Sequence, residues 1–237
     1  MLKLVRADFY KTFHRSAYYL MLAAFSALAA ALVFMMRGGS VGSFAGALAL
    51  SRELLPYPAA LLPLVTQLTL GEEYRERTVK NALEHGAGRG TYFLAKWVSS
   101  VLLGLLLAAA VFGAYFGSAA LLLGGGAGAE LAKDAFSRIG AACAVYIAAA
   151  TVSLFLLTVF SRSAAAIFAY YGAFYLSGLL LQLFKQKWAL PALLRTQLTN
   201  AVSEPAPDYA AVLAVAAVTL AVFFAAGLAA TRRKDLA

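Results

Sequence analysis

The sequence predicts an all-α membrane protein with six transmembrane helices, and three observations carry that prediction. Hydrophobic residues make up 62% of the 237 and charged residues only 13%. Six apolar runs stand at about 17–36, 54–70, 97–123, 139–160, 164–184 and 209–230. No Asp, Glu, Lys or Arg interrupts any of them. A helix rises ~1.5 Å per residue, so about 20 residues cross the ~30 Å of hydrocarbon. A charge near the bilayer centre costs roughly 2.5–3.5 kcal/mol, and a soluble bundle would need polar helix faces that these runs lack.

The first element, residues 1–16, is too polar to span. Leu2, Val5, Phe9 and Phe13 fall on one helical face and Lys3, Lys11, His14 and Arg15 point away, the pattern of an amphipathic helix lying at the interface. The next run is too long for the core of a cleaved signal peptide, and Met35-Met36-Arg37 is a poor cleavage site. Residues 37–53, rich in Gly and Ser, read as a loop. The second run is the shortest and holds Pro56, Pro58 and Pro63, so its edges and straightness are the least defined.

Residues 71–96, GEEYRERTVKNALEHGAGRGTYFLAK, form a dense charged island. As a helix over about 72–85 it pairs Glu73 with Arg77 and Glu76 with Lys80 at i, i+4, and Val79 and Leu83 give it a small apolar side. Gly86-Ala87-Gly88 ends it, and Arg89 to Lys96 leads into the third run. Gly113 and Gly117 within that run have the spacing of close helix contact. The lone cysteine, Cys143, falls in the fourth run and reads as a small packing residue. Phe168, Tyr171 and Tyr175 recur on one face of the fifth run. Residues 185–208 are too apolar for a free loop, since Trp188, Leu190, Leu193, Leu194 and Leu198 punctuate them. They predict a short re-entrant or surface helix near Pro191.

With six spans both termini share a side. That side holds thirteen Lys and Arg against seven on the other, which places both termini in the cytoplasm. The net charge of +9 then reports topology and contact with anionic lipid rather than nucleic acid.

Catalytic patterns are scarce. The chain has no GxxxxGK[ST] loop and no HExxH. Gly38-Gly39-Ser40-Val41-Gly42 matches GxSxG, but with no histidine on its side of the membrane it reads as a loop. The runs hold neutral polar groups such as Gln67 and Gln182 and no ionisable relay, which disfavours ion-coupled transport. A membrane scaffold or sensor stays open as another class.

The charged island resembles the permease subunits of type-2 ABC exporters. Glu73, Thr78, Val79, Lys80, Asn81 and Leu83 occupy the positions of that family's Glu-x-x-x-Gly-Thr-hydrophobic-Lys-Asn-x-Leu pattern, with Arg77 where the family usually has Gly. Arg89 and Lys96 match the family's subsequent Ser-Arg and Gly-Lys pairs in their second residues, with Gly88 and Ala95 in place of the first. The opening, Leu2-Lys3-Leu4 through Asp8-x-Tyr10-Lys11, is similar too. The resemblance implies a cytoplasmic coupling helix made by Glu72, Glu73, Arg75, Glu76, Arg77, Thr78, Lys80, Asn81 and Leu83, with Arg89 after it, and an N-terminal elbow helix beside it. It implies two copies of a separate ABC ATPase carrying ATP and Mg, a second permease chain, and a bacterial plasma membrane. This chain would hold no cofactor, no metal and no catalytic residue. A substrate path would run past Gln67, Phe168, Tyr171 and Tyr175. The cargo expected is an amphipathic or hydrophobic peptide such as a lantibiotic or peptide toxin, with lipids or hydrophobic drugs as the alternative.

Overall fold

In a computed structural model that describes residues 1–37, 42–76, 78–79, 88–124, 126, 128–160, 162–203 and 207–233, the chain is helical from end to end, with no strand among those residues. Helix α1 (Leu2–Phe13) leads into α2 (Ser16–Met36). A short α3 (Phe44–Leu50) and a 3-10 turn, Ser51–Leu54, precede α4 (Pro56–Thr66). That helix widens into a π turn, Gln67–Gly71, and runs on as α5 (Glu72–Arg75). Next come two long helices, α6 (Arg89–Leu123) and α7 (Ala129–Phe160). The fifth segment comprises α8 (Ser163–Tyr171), a π turn at Gly172–Leu176 and α9 (Ser177–Leu183). A 3-10 segment, Lys187–Ala192, then α10 (Leu194–Ser203) and α11 (Tyr209–Arg233) complete the chain.

Five of these helices are long and apolar enough to cross a membrane, or six when the pair Phe44–Leu54 and Pro56–Arg75, bent by 48°, counts as one span. The chain has the architecture of a multi-pass membrane protein. Both described ends of the chain lie at one end of the bundle. There α1 packs on the first turns of α6, and Arg89 Nη1 donates to the Arg232 carbonyl at 2.7 Å.

The apolar sequence sets which faces meet. Helices α6 and α7 hold the middle, and α2, α4 and α11 pack around them. Gly104 lets α4 come close, since a Cβ there would stand 2.6 Å from Leu62 Cδ2. Gly227 does the same for Phe93, whose ring would lie 2.6 Å from an added Cβ. Midway along the helices, neutral hydroxyls make polar contacts between them. Thr66 meets Ser153 and Thr69 meets Ser100, each at 2.7 Å, and Trp97 Nε1 donates to Thr151 at 2.8 Å. Four buried tyrosines, Tyr18, Tyr115, Tyr146 and Tyr170, donate to the carbonyls of Leu103, Ala47, Leu55 and Ala59.

The last of these has a sequence cause. Pro63 has no N–H, so the Ala59 carbonyl four residues earlier loses its helical donor. Tyr170 Oη supplies one at 2.7 Å, and Tyr171 Oη donates to the neighbouring Ala60 carbonyl at 2.8 Å.

Three sequence expectations change. Residues 37–53 are not wholly a loop, because Ser43 accepts from the Gly46 N–H as an N-cap and starts α3. Helices α6 and α7 begin well before their apolar runs, since polar residues continue a helix beyond the hydrocarbon without penalty. Gly113 and Gly117 face open space rather than a neighbouring helix of this chain. The helix expected near Pro191 takes the form of a 3-10 segment followed by α10, packed on α7 and α11 with Leu194 and Leu198 buried.

Candidate functional site: a buried charge cluster at the terminal end

The charged island and the N-terminal helix meet at the end of the bundle that carries both described ends. Lys96, about two turns into α6, is 2% exposed. Its Nζ donates to Asp8 Oδ1 at 2.5 Å, lies 2.8 Å from Glu73 Oε1, and reaches the Thr69 carbonyl at 3.4 Å. An ammonium has three protons, and three acceptors meet it. Ser99 Oγ donates to Asp8 Oδ2 at 2.9 Å. Tyr92 Oη donates to Glu73 Oε2 at 2.6 Å, and Lys11 Nζ approaches Glu73 Oε1 at 2.8 Å.

Two carboxylates therefore face two ammonium groups. Burial pushes the Asp8 carboxyl up from its ordinary range, and Lys96 pulls it partway back. A buried charge is tolerated when paired and hydrogen-bonded, and each member here meets both conditions. The cluster ties together α1, α6 and the helix end at Glu72–Arg75, three elements far apart in sequence.

This placement corrects the reading of the island. Glu73 is buried rather than solvent-facing, and its partners are Lys11, Lys96 and Tyr92. Glu72 also turns inward, forming an ion pair with Arg15. Glu72 to Arg75 is the last turn of the second span rather than the start of a separate helix. Arg75 and Glu76 project outward, with side chains 66% and 48% exposed. The Thr78 N–H donates to the Glu73 carbonyl, and Val79 is buried beside Leu70, Tyr92 and Leu157. Arg89 donates through Nη1 to the Arg232 carbonyl. Arg77, Lys80, Asn81 and Leu83 lie outside the described residues, as do the rest of the predicted helix to residue 85 and Ser40.

Helix α1 and the turn after it pair Lys11 and Arg15, expected to point away to lipid phosphates, with Glu73 and Glu72. The buried residues of α1 are Asp8 and Thr12, Phe9 and Phe13 pack partly against the core, and Leu2 is 79% exposed. Asp8, read at the sequence level only as part of a motif, is what seats the helix. The available signal was a lone carboxylate on an otherwise cationic helix.

Within the aromatic stripe Tyr171 and Tyr175 keep ring contact, with centroids 6.0 Å apart. Phe168 is 76% exposed, Tyr171 is half-buried on the Ala60 carbonyl, and the π turn carries Tyr175 to Arg195, 4.9 Å from its ring centre. Gln67 opens the other π turn, and its Oε1 is buried with no partner among the described residues. Cys143 is half-buried against the core. No group of metal-ligating side chains stands among the described residues.

No protein-family model matches the chain, and no curated protein matches it.

Proposed function

We propose that the chain is the membrane subunit of an ATP-driven exporter, with both termini in the cytoplasm and a separate ATPase docking at the loop that begins with Arg75 and Glu76. One observation carries the reading beyond the sequence resemblance. The loop springs from the last turn of the second span, and Glu73 in that turn is joined through Lys11, Lys96 and Tyr92 to α1 and α6. A partner that pushes on the loop moves three elements together, which is what coupling of nucleotide closure to the spans requires. A membrane interior bridged by hydroxyls, without a buried relay of charge along the spans among the described residues, favours energy supplied from outside the chain. The same interior favours an amphipathic or hydrophobic cargo, and we assign an amphipathic peptide, exported by a pair of permease chains working with two ATPase subunits.

The experiment is affinity purification of the chain from its native cells, with and without Arg75→Glu and Glu76→Lys together. Both residues are exposed and neither belongs to the buried cluster, so the fold is retained. An ATPase co-elutes with the unaltered chain and at least tenfold less with the double variant. A chain that recovers no ATPase in either form overturns the assignment.

A further inference from the structure

A cavity of about 170 Å³ opens between the fifth helical segment and α11, both of which flank α7, and α10 borders its mouth at the end away from the chain termini. Val152, Phe174, Leu193 and Phe223 make its walls apolar. Tyr170 and Ser177 line it seven residues apart, so it follows the fifth segment for about 10 Å at the helical rise.

Thr219 lines the wall near Phe223, and the charged feature, Arg195, stands at the α10 end. Arg195 stands at the rim, where Nη1 donates to the Tyr175 carbonyl at 2.7 Å and the guanidinium lies over the Tyr175 ring. The π turn at Gly172–Leu176 explains why that carbonyl is offered, since a π turn displaces the regular ladder of helix bonds. The bond takes one of the five guanidinium donors and holds the planar fork in place. Ser177 lines the same end, and its Oγ is buried without a partner among the described residues. A fixed cation at the mouth of an apolar slot is complementary to an amphiphile with a negative head.

We infer that this cavity binds an anionic phospholipid from the leaflet on the α10 side, with its phosphate on Arg195 and one acyl chain lying between the fifth segment and α11 toward Phe223. The guanidinium fork matches phosphate oxygens, and cationic pockets between membrane helices take lipid headgroups. The length beyond Arg195 carries no further cation and is apolar apart from Thr219, which suits an acyl chain better than a free anion. This site is separate from the buried charge cluster and does not depend on transport by the chain.

The test is native mass spectrometry on the full chain, purified in detergent and stripped of lipid. The probes are phosphatidylglycerol, phosphatidylcholine with the same acyl chains, and inorganic phosphate. One phosphatidylglycerol is retained per chain, about tenfold above phosphatidylcholine, as a charged hydrogen-bonded contact allows. Arg195→Gln abolishes the preference, Arg195→Lys keeps part of it, and inorganic phosphate does not compete. Ala173→Phe, which fills the wall and leaves Arg195 in place, lowers retention and decides the matter where Arg195→Gln does not fold. Equal retention of the two lipids, unchanged retention in Arg195→Gln or in Ala173→Phe, or displacement by inorganic phosphate overturns the inference.

Discussion

At the end of the bundle that carries the chain termini, Lys96 is buried between two carboxylates drawn from different elements, Asp8 on α1 and Glu73 on α5. At the opposite end, Arg138 is equally buried, yet its Nη1 donates to the Ala201 carbonyl at 2.5 Å and its Nε to Asp134, one turn back on its own helix. The first arrangement is charge against charge across segments up to 88 residues apart. The second joins a cation to a backbone carbonyl and to a local, half-exposed carboxylate. Removal of the cation has different consequences in the two places. At the terminal end it takes from Asp8 its one ammonium among the described residues and leaves Glu73 to Lys11 and Tyr92, and at the other end it takes a donor from the Ala201 carbonyl while Asp134 stays in contact with solvent.

Lys96→Met should therefore be the most damaging single change, at about 3–5 kcal/mol, the usual cost of breaking a buried pair from one side. Thermal unfolding in detergent, followed by circular dichroism, measures it, and a loss below that of Arg138→Met would break the comparison. Arg138→Met should cost about 1–3 kcal/mol, because it leaves the Ala201 carbonyl without its donor. That loss should appear as earlier protease cleavage around α10, with the α1 end unaffected. Lys11→Ala sharpens the contrast within the terminal end. Its side chain is 50% exposed, so the bond to Glu73 is screened by water and its loss should cost about 0.2–1 kcal/mol. A shift as large as that of Lys96→Met would mean that Glu73 depends on Lys11 rather than on Lys96.

Much of the architecture could be read from hydropathy, because hydrocarbon excludes charge and six uncharged runs leave few alternatives. The ends of the helices could not. Arg89 to Lys96 and Ala129 to Arg138 are polar enough to leave the bilayer but have no reason to stop being helical. Hydropathy marks the thickness of the membrane, and the backbone ladder runs past it. The charged island was visible as a cluster, and its pairing was not. Local spacing offered Glu73 a partner at i+4, and the fold brings it Lys11 and Lys96, 62 and 23 residues distant. Nothing in a one-dimensional pattern points to a cation so far along the chain. Tyr170 is a different kind of omission. Its neighbours Phe168 and Tyr171 drew notice as a stripe, yet Pro63 had already announced an unpaired carbonyl at Ala59 that some donor had to meet.

That unpaired carbonyl has a consequence in time. Tyr170 comes 111 residues after Ala59, and a ribosome adding ~5–20 residues per second needs on the order of ten seconds to make that stretch. Over that interval the second span carries an orphaned carbonyl with no partner yet synthesised, so it either holds a water molecule or stays near the insertion machinery. The fifth span is thus the clasp of the assembly, and nascent chains arrested before residue 170 should expose a cysteine placed at Ala59 to a water-soluble thiol reagent that finished chains exclude.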